Sequence, residues 1–174
     1  MTVVDQVGRR ERLFSFPDPV NEGSARLVAT GVVIMVVAAT TLDLRSLTLV
    51  LAYGFLARVL TGPKLSPLGL FVTRVLTPRL PFAPRPVPGP PKRFAQGIGA
   101  GFTVTAAVLT YGFHTWWAAQ VVLGLLLVAA SLEAFAGLCL GCRAFALLMR
   151  AGIIPESVCE RCADIWSRPP AAAG

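Results

Sequence analysis

Long stretches without a charged side chain constrain this chain more than any other feature of its sequence. The first runs from Leu27 to Leu42 and is rich in Val, Ala and Ile. At 1.5 Å per residue, a helix of this length nearly crosses the hydrocarbon core of a bilayer, which is about 30 Å thick. The alternative is a helical hairpin buried in a soluble core. However, only 14% of the residues are charged, whereas about 25% is usual for a soluble domain. Much of the surface is therefore expected to face lipid.

Further apolar segments follow the first, and a short turn at Asp43–Arg45 separates it from the second. We therefore predict an all-α integral membrane protein with four transmembrane helices, at about 27–42, 46–60, 94–113 and 117–140. The predicted organisation is a cytoplasmic N-terminal segment at 1–24, a membrane domain at 25–150 and a cytoplasmic tail at 151–174. No cleaved secretory signal is expected, because a long polar segment precedes the first apolar run.

The segment between the second and third spans differs from the spans. Ser66 and Pro67 are typical of a helix start. After them, one helical face carries Leu68, Phe71, Val72, Val75 and Leu76, and the other carries Thr73, Arg74 and Thr77. This pattern predicts a short interfacial helix whose apolar face meets the acyl chains. Residues 78–91 contain seven prolines and are predicted to form an extended connector, neither helix nor strand. A proline-rich ligand for a partner domain is the alternative.

The distribution of charge predicts the topology. The net charge is +7, and residues 61–93 carry several basic side chains and no acidic one. The two opposite loops carry one basic residue, Arg45. Because basic loops stay in the cytoplasm, both termini and residues 61–93 are expected to be cytoplasmic. The lipid bilayer is therefore the expected partner of these charges, and nucleic acid is not.

Small residues in the third predicted span suggest close helix packing. Gly97 and Gly101 form a small-xxx-small pair, which lets two helices approach closely in lipid. Trp117 begins the fourth span in an aromatic belt at the outer interface. Counting along a helix from Trp117 places Cys139 at the cytoplasmic rim.

The chain has four cysteines, Cys139, Cys142, Cys159 and Cys162, in two Cys-x-x-Cys pairs. This spacing is more typical of redox or metal chemistry than of a secreted disulfide scaffold. The first pair is predicted late in a helix, which disfavours a thiolate. Gly137 and Gly141 could instead break the helix and start a new one near Cys139, and Arg143 could stabilise a thiolate. Two small packing residues are the alternative.

Two other interpretations involve metal and proton chemistry. The full spacing, Cys-x2-Cys-x16-Cys-x2-Cys, lies within the range of structural zinc sites, so zinc on all four thiolates is an alternative. Glu133 lies within the fourth predicted span, where an acid is costly and marks a functional or helix-bonding site. We expect it to pair with another span, through Arg58, and to project away from Cys139 on its helix. A small transporter subunit that uses Glu133 is a further alternative.

The chain resembles a bacterial membrane-protein family filed as domain of unknown function 4395, over roughly residues 16–150. The matching motifs are Phe16-Pro17-Asp18-Pro19, Ser66-Pro67-Leu68-Gly69, Pro91-Lys92-Arg93-Phe94-Ala95-Gln96 and Gly137-Leu138-Cys139-Leu140-Gly141-Cys142. The resemblance implies a small helical membrane domain and draws attention to the 139–142 pair. It implies no particular activity, cofactor or catalytic residue.

The function that these patterns favour is thiol–disulfide exchange at the cytoplasmic face of the bacterial plasma membrane. Cys139 and Cys142 are the expected primary pair, with Glu133 as a further candidate catalytic residue. Cys159 and Cys162 are the expected shuttle pair. The expected partner is a soluble thioredoxin-like or sulfur-carrying protein, and no cofactor is predicted unless zinc binds.

Overall fold

The computed structural model describes residues 18–79, 85–155 and 158–159. These residues are mostly helical, and the prediction of an all-α fold is confirmed. The long helices are α1 (Glu22–Thr41), α2 (Leu47–Thr61), α5 (Gly89–Tyr111) and α6 (Trp116–Ala136). Shorter helical segments are a 3-10 turn at Gly62–Lys64, α3 (Pro67–Phe71), a π-helical turn at Val72–Leu76, α4 (Thr77–Arg79) and α7 (Leu140–Arg150).

The four long helices form an antiparallel bundle. Helix α5 packs against α2 and α6, and α1 packs against α6 and α2. Helix α7 lies against α5 at the end of the bundle where α1 and α5 begin. Every long helix contributes to the buried apolar core, which contains Val32, Val36, Leu51, Phe55, Ala100, Ala106, Leu123 and Leu126.

Among the described helices, α1 and α6 are long and apolar enough to cross a membrane. Only 33% of the apolar window of α1 and 28% of that of α6 is buried inside the bundle. Their apolar side chains therefore point mostly outward, which is unlike the core helix of a soluble domain.

The close approach of α5 to α2 occurs at Gly99, and not at Gly97 and Gly101. A side chain at Gly99 would collide with the ring of Phe55. Gly97 and Gly101 have no heavy atom within 4 Å of where a Cβ would lie. The prediction that this pair packs a neighbouring helix is therefore wrong for the described residues. The rotation of α5 places the glycine between them at the interface.

The segment at residues 67–79, named here the surface helix, starts where the sequence predicts. Ser66 caps it, because its Oγ accepts a hydrogen bond from the backbone N–H of Gly69. The expectation that the whole apolar face meets the acyl chains is wrong, since Val72 of that face is buried against the bundle. Thr77, expected on the opposite face, also contacts the bundle, with its Oγ1 3.0 Å from Ser24 Oγ. Gly69 explains this orientation, because its lack of a side chain lets the segment approach Pro63 closely. Phe71 remains exposed.

The proline-rich connector contains regular structure, contrary to prediction. Pro86–Val87 forms a two-residue antiparallel pairing with Val20–Asn21. Helix α5 already begins at Gly89, with Pro90 and Pro91 in its first turn. Proline is tolerated there because the first N–H groups of a helix have no partner within it. The part of the connector at residues 80–84 lies outside the described residues.

Candidate functional site

A break in the helix after Ala136 sets up the candidate site. Gly137 has a φ of 67°, in the left-handed region that favours glycine, and its N–H bonds to the carbonyl of Leu132. The guanidinium of Arg26 donates to the carbonyls of Ala134 and Phe135 at 3.2 and 2.9 Å. The expectation that the fourth helix continues to residue 140 is therefore wrong. The helix ends at Ala136 and the chain turns back towards the bundle.

Cys139 is the residue at which the next helix starts. It has an extended conformation, with φ −84° and ψ 103°, and α7 begins directly after it at Leu140. Cys142 lies in the first turn of α7, and the Sγ atoms of the two cysteines are 2.8 Å apart. Both thiols are free, and Cys139 is buried. The sequence allowed either a cysteine pair late in a continuing helix or a pair at the start of a new one. The structure has the second arrangement, in which the dipole of the new helix favours a thiolate.

The two thiols are not equivalent. The Cys142 thiol donates a hydrogen bond to Cys139, and this bond lowers the pKa of the Cys139 thiol. Burial and the Glu133 carboxylate oppose that shift, whereas the ammonium of Lys92 adds to it. The same hydrogen bond, together with burial, raises the pKa of the Cys142 thiol. Of the two thiols, Cys139 is therefore the one that loses its proton more readily.

Glu133 is turned into the bundle and paired with a different helix. Its Oε1 lies 2.7 Å from Nζ of Lys92 on α5. The prediction that Arg58 is the partner is wrong. The Nε of Arg58 donates to Gln96 Oε1 at 2.9 Å and its Nη1 donates to Ser66 Oγ at 3.1 Å.

Lys92 is the residue of this site that sequence reasoning missed. The prolines before it place it in a basic connector when the sequence is read alone. The signal that could have identified it is Pro90-Pro91, since proline at the first helical positions would place Lys92 in the first turn of a helix. From there its side chain reaches inward to Glu133.

A cavity of about 440 Å³ is shared by three of the titratable groups. Cys139, Glu133, Arg58 and Gln96 line it, together with apolar side chains from all four long helices and α7. The expectation that Glu133 and Cys139 project to different sides of one helix is wrong. Both line the same cavity, and they are no longer on one helix because the helix of Glu133 ends before Gly137.

Among the described residues at this end of the bundle, buried positive charges outnumber buried negative charges if neither cysteine is ionised. Arg58 is 5% exposed and Lys92 is 8% exposed, while Glu133 is the carboxylate facing them. Buried charges need compensation of opposite sign nearby. A thiolate on Cys139 would supply the further negative charge.

The second cysteine pair is only partly described. Cys159 is buried and disulfide-bonded, and Cys162 lies outside the described residues. Within residues 18–79, 85–155 and 158–159, no three His, Cys, Asp or Glu side chains group as metal ligands. The four-thiolate zinc site therefore stays a prediction.

Fold and site together define the class of protein: a small helical bundle with a cysteine pair at a helix start, beside a buried ion pair. The chain belongs to the family described as domain of unknown function (DUF4395), whose model matches residues 20–150. The matched range includes Cys139, Cys142, Glu133 and Lys92. No curated protein and no solved structure matches the chain significantly.

Proposed function

We propose that this protein is a multi-pass membrane dithiol protein that exchanges electrons with a soluble thioredoxin-like or sulfur-carrying partner. The observation that carries the proposal is Cys139 at the start of α7, with the Sγ of Cys142 2.8 Å away. A reactive dithiol needs this arrangement, because the helix start and the neighbouring thiol both stabilise the attacking thiolate.

Four membrane spans are supported by the outer surface of the bundle. Exposed large apolar side chains occur on every long helix, and they include Ile34, Val37, Leu49, Leu56, Val104, Val108, Val121 and Val128. Water would be an unfavourable environment for so many of them. Helix α2 has 15 residues and is about 22 Å long, so the bilayer thins or flanking residues move inward around it.

The cytoplasmic placement of the cysteine pair is supported by charge. Helices α1 and α5 begin, and α2 and α6 end, at the end of the bundle that carries Cys139. Arg26, Arg58, Lys92 and Arg93 also lie at this end, whereas the opposite end carries Arg45. Basic residues accumulate on the cytoplasmic side. A bacterial plasma membrane with both termini inside is consistent with this distribution.

The exchange proceeds in two steps. The Cys139 thiolate attacks one sulfur of a partner disulfide, so that a mixed disulfide forms and the other partner sulfur leaves as a thiolate. Cys142 loses its proton and attacks Cys139 Sγ, which forms the Cys139–Cys142 disulfide and releases the second partner thiolate. The protein pair is thereby oxidised and the partner is reduced. The reverse sequence transfers electrons to the protein.

The two members of the Lys92–Glu133 pair act on Cys139 in opposite directions, and the carboxylate of Glu133 raises its pKa more than the ammonium of Lys92 lowers it. Glu133 also holds Lys92 in place through the 2.7 Å contact. Glu133 is therefore a positioning residue in this proposal, and it is also a nearby carboxylate that can take the proton of Cys142. Cys159 and Cys162 would pass electrons on by the same exchange chemistry.

Peptide-resolved alkylation tests the proposal. The purified full-length chain is equilibrated anaerobically with oxidised or reduced thioredoxin and then alkylated for mass detection. We expect Cys139 and Cys142 to change state together. Cys142→Ser should trap a mixed disulfide on Cys139, because the resolving thiol is missing. Cys159→Ser separates the two pairs: exchange at Cys139 and Cys142 should continue, whereas onward transfer through Cys159 and Cys162 should stop.

Two results would contradict the proposal. One is unchanged alkylation of Cys139 and Cys142 across the redox range. The other is one zinc ion per chain, lost on changing either Cys142 or Cys159 to Ser, which would favour the structural zinc site.

A further inference from the structure

The cavity that Cys139 lines opens sideways, between helices. Among its lining residues, Leu125 is 56% exposed and Val128 is 59% exposed, both on α6. Ile98 on α5 and Leu140 on α7 also line the cavity and are exposed. The mouth is therefore apolar and lies on the outer side of the bundle. In a membrane, a molecule entering there comes from the lipid.

The buried part of the same cavity includes polar side chains among apolar ones. Arg58 and Gln96 line it and carry N–H groups that can donate to a carbonyl oxygen. Cys139 and Glu133 line the cavity as well. The space exists because many lining residues are small: Ala25, Ala29, Ala95, Gly99, Ala129 and Ala130.

We propose that this cavity binds a membrane quinone, which exchanges electrons with the Cys139–Cys142 pair. This inference rests on the proposed dithiol function and names its lipid-side substrate. A quinone fits the three observations together, because it is lipid-soluble, has a flat ring, and carries carbonyl oxygens for the donors. A cavity of about 440 Å³ lies within the range of roughly 300–1,000 Å³ for small-molecule sites. Charged water-soluble oxidants such as glutathione disulfide do not suit an apolar mouth.

The reaction balances without any further reactant. The S–H bond of Cys142 breaks, the proton that Cys139 lost on forming its thiolate is taken back from solvent, and one S–S bond forms between Cys139 and Cys142. The two electrons and two protons pass to the quinone, whose two carbonyl oxygens become the hydroxyls of a quinol. Glu133 is placed to accept and pass on a proton, because it lines the same cavity as Cys139. The reverse reaction would reduce the disulfide with quinol.

The test uses the full chain in vesicles of phosphatidylcholine and phosphatidylglycerol, reduced and kept anaerobic. Decylubiquinone is added, quinol formation is followed by ultraviolet absorbance, and the thiols are counted by alkylation and mass detection. We expect one quinol for each Cys139–Cys142 disulfide, and no reaction with Cys139→Ser. Exchange with thioredoxin is measured on the same samples.

A matched pair of variants tests the site. Val128→Trp would fill the mouth, whereas Val121→Trp changes the same face of α6 two turns away, where the residue is 58% exposed and does not line this cavity. We expect Val128→Trp to slow quinol formation about tenfold or more and Val121→Trp to change it less than about twofold. Both should keep exchange with thioredoxin. Ala129→Leu, a smaller addition to the cavity, serves as a second variant in case Val128→Trp does not insert.

The outcomes separate the two proposals. Exchange with thioredoxin without quinol formation would overturn the quinone site and leave the dithiol function standing. Equal quinol rates in Val128→Trp, Ala129→Leu and the unchanged chain would also overturn it, because the quinone would then react elsewhere. Quinol formation without exchange with thioredoxin would support the quinone site and remove the soluble partner. The absence of both quinol formation and exchange with thioredoxin would overturn both proposals.

Discussion

At the scale of single residues, one hydrogen bond makes two chemically identical side chains differ in acidity. Cys142 donates to Cys139, which lowers the pKa of Cys139 and raises that of Cys142. Thiol–disulfide exchange by a dithiol needs two thiols of different pKa, because one sulfur attacks as a thiolate while the other stays protonated until the second step. The arrangement depends on backbone geometry, since it requires Cys139 to precede the first turn of α7.

The first prediction concerns this hydrogen bond. Cys142→Ala removes the donor, so the pKa of Cys139 should rise and alkylation of Cys139 should need a higher pH. Cys142→Ser is the matched control, because its hydroxyl can still donate. The measurement is the rate of iodoacetamide labelling of the peptide containing Cys139 as a function of pH. Identical profiles for the Ala variant and the unchanged chain would show that the bond does not stabilise the thiolate.

The ion pair of Lys92 and Glu133 gives the second prediction. Glu133→Gln would leave the ammonium of a buried lysine without its carboxylate, and the free energy of unfolding should fall by about 3 kcal/mol. The double variant Lys92→Met with Glu133→Gln should recover most of that loss, because neither charge of the pair then remains. Unfolding in mixed micelles, followed by circular dichroism, measures both. Additive losses in the double variant would argue against a direct interaction.

At the scale of elements, the position of α7 depends on a close contact with α5. A Cβ at Gly141 would lie 2.6 Å from Cα of Ala95, and backbone atoms cannot move aside as a flexible side chain can. Phe94 and Phe145 contact each other beside this point, with ring centroids 5.6 Å apart. Glycine at 141 therefore brings the cysteine pair against the bundle. The sequence suggests Gly141 as a helix breaker, but it lies inside α7.

Glycine substitutions give the third prediction. Gly141→Ala should displace α7, lower the free energy of unfolding by about 1–3 kcal/mol and slow exchange at Cys139. Gly97→Ala is the control, because it adds the same methyl group where no atom lies within 4 Å. It should be neutral or should stabilise α5 by up to about 1 kcal/mol. Thermal unfolding and the alkylation assay report the two effects. Equal behaviour of both variants would contradict the close contact.

At the scale of the whole molecule, the bundle has two chemically different ends. The end with Asp43 and His114 consists of short turns, and both residues have positive φ angles. The other end carries the surface helix, the paired strands, α7 and most of the basic residues. The outer surface between the two ends is apolar. An apolar outer surface between two different ends is the pattern expected of a bundle that spans a membrane.

The fourth prediction concerns that orientation. An enzyme reporter that is active only outside the membrane should be active when fused near Asp43 or His114. It should be inactive when fused near Pro88 or after Gly174, because basic segments stay in the cytoplasm. Reporter activity normalised to protein level is the measurement. An active fusion near Pro88 would rule out the arrangement with four spans and both termini inside.

Local features of this protein are predictable from the sequence alone. The apolar runs determine that the fold is all-α, the residues Asp43–Arg45 determine a tight turn, and Ser66-Pro67 determines a helix start. Each of these depends on neighbours along the chain, through hydrophobic periodicity or backbone capping. The three-residue spacing of Cys139 and Cys142 is a local feature of the same kind, and it is enough to indicate a dithiol.

Only the tertiary structure decided which side chains meet. It paired Glu133 with Lys92 instead of Arg58, placed Gly99 at the α2–α5 contact, and brought Cys139 and Glu133 to one cavity. The physical reason is rotation. A helix turns by about 100° per residue, so a helix end shifted by a few residues redirects every side chain beyond it. At the end of α6, the carbonyls of Ala134 and Phe135 accept hydrogen bonds from Arg26, a residue far away in the sequence.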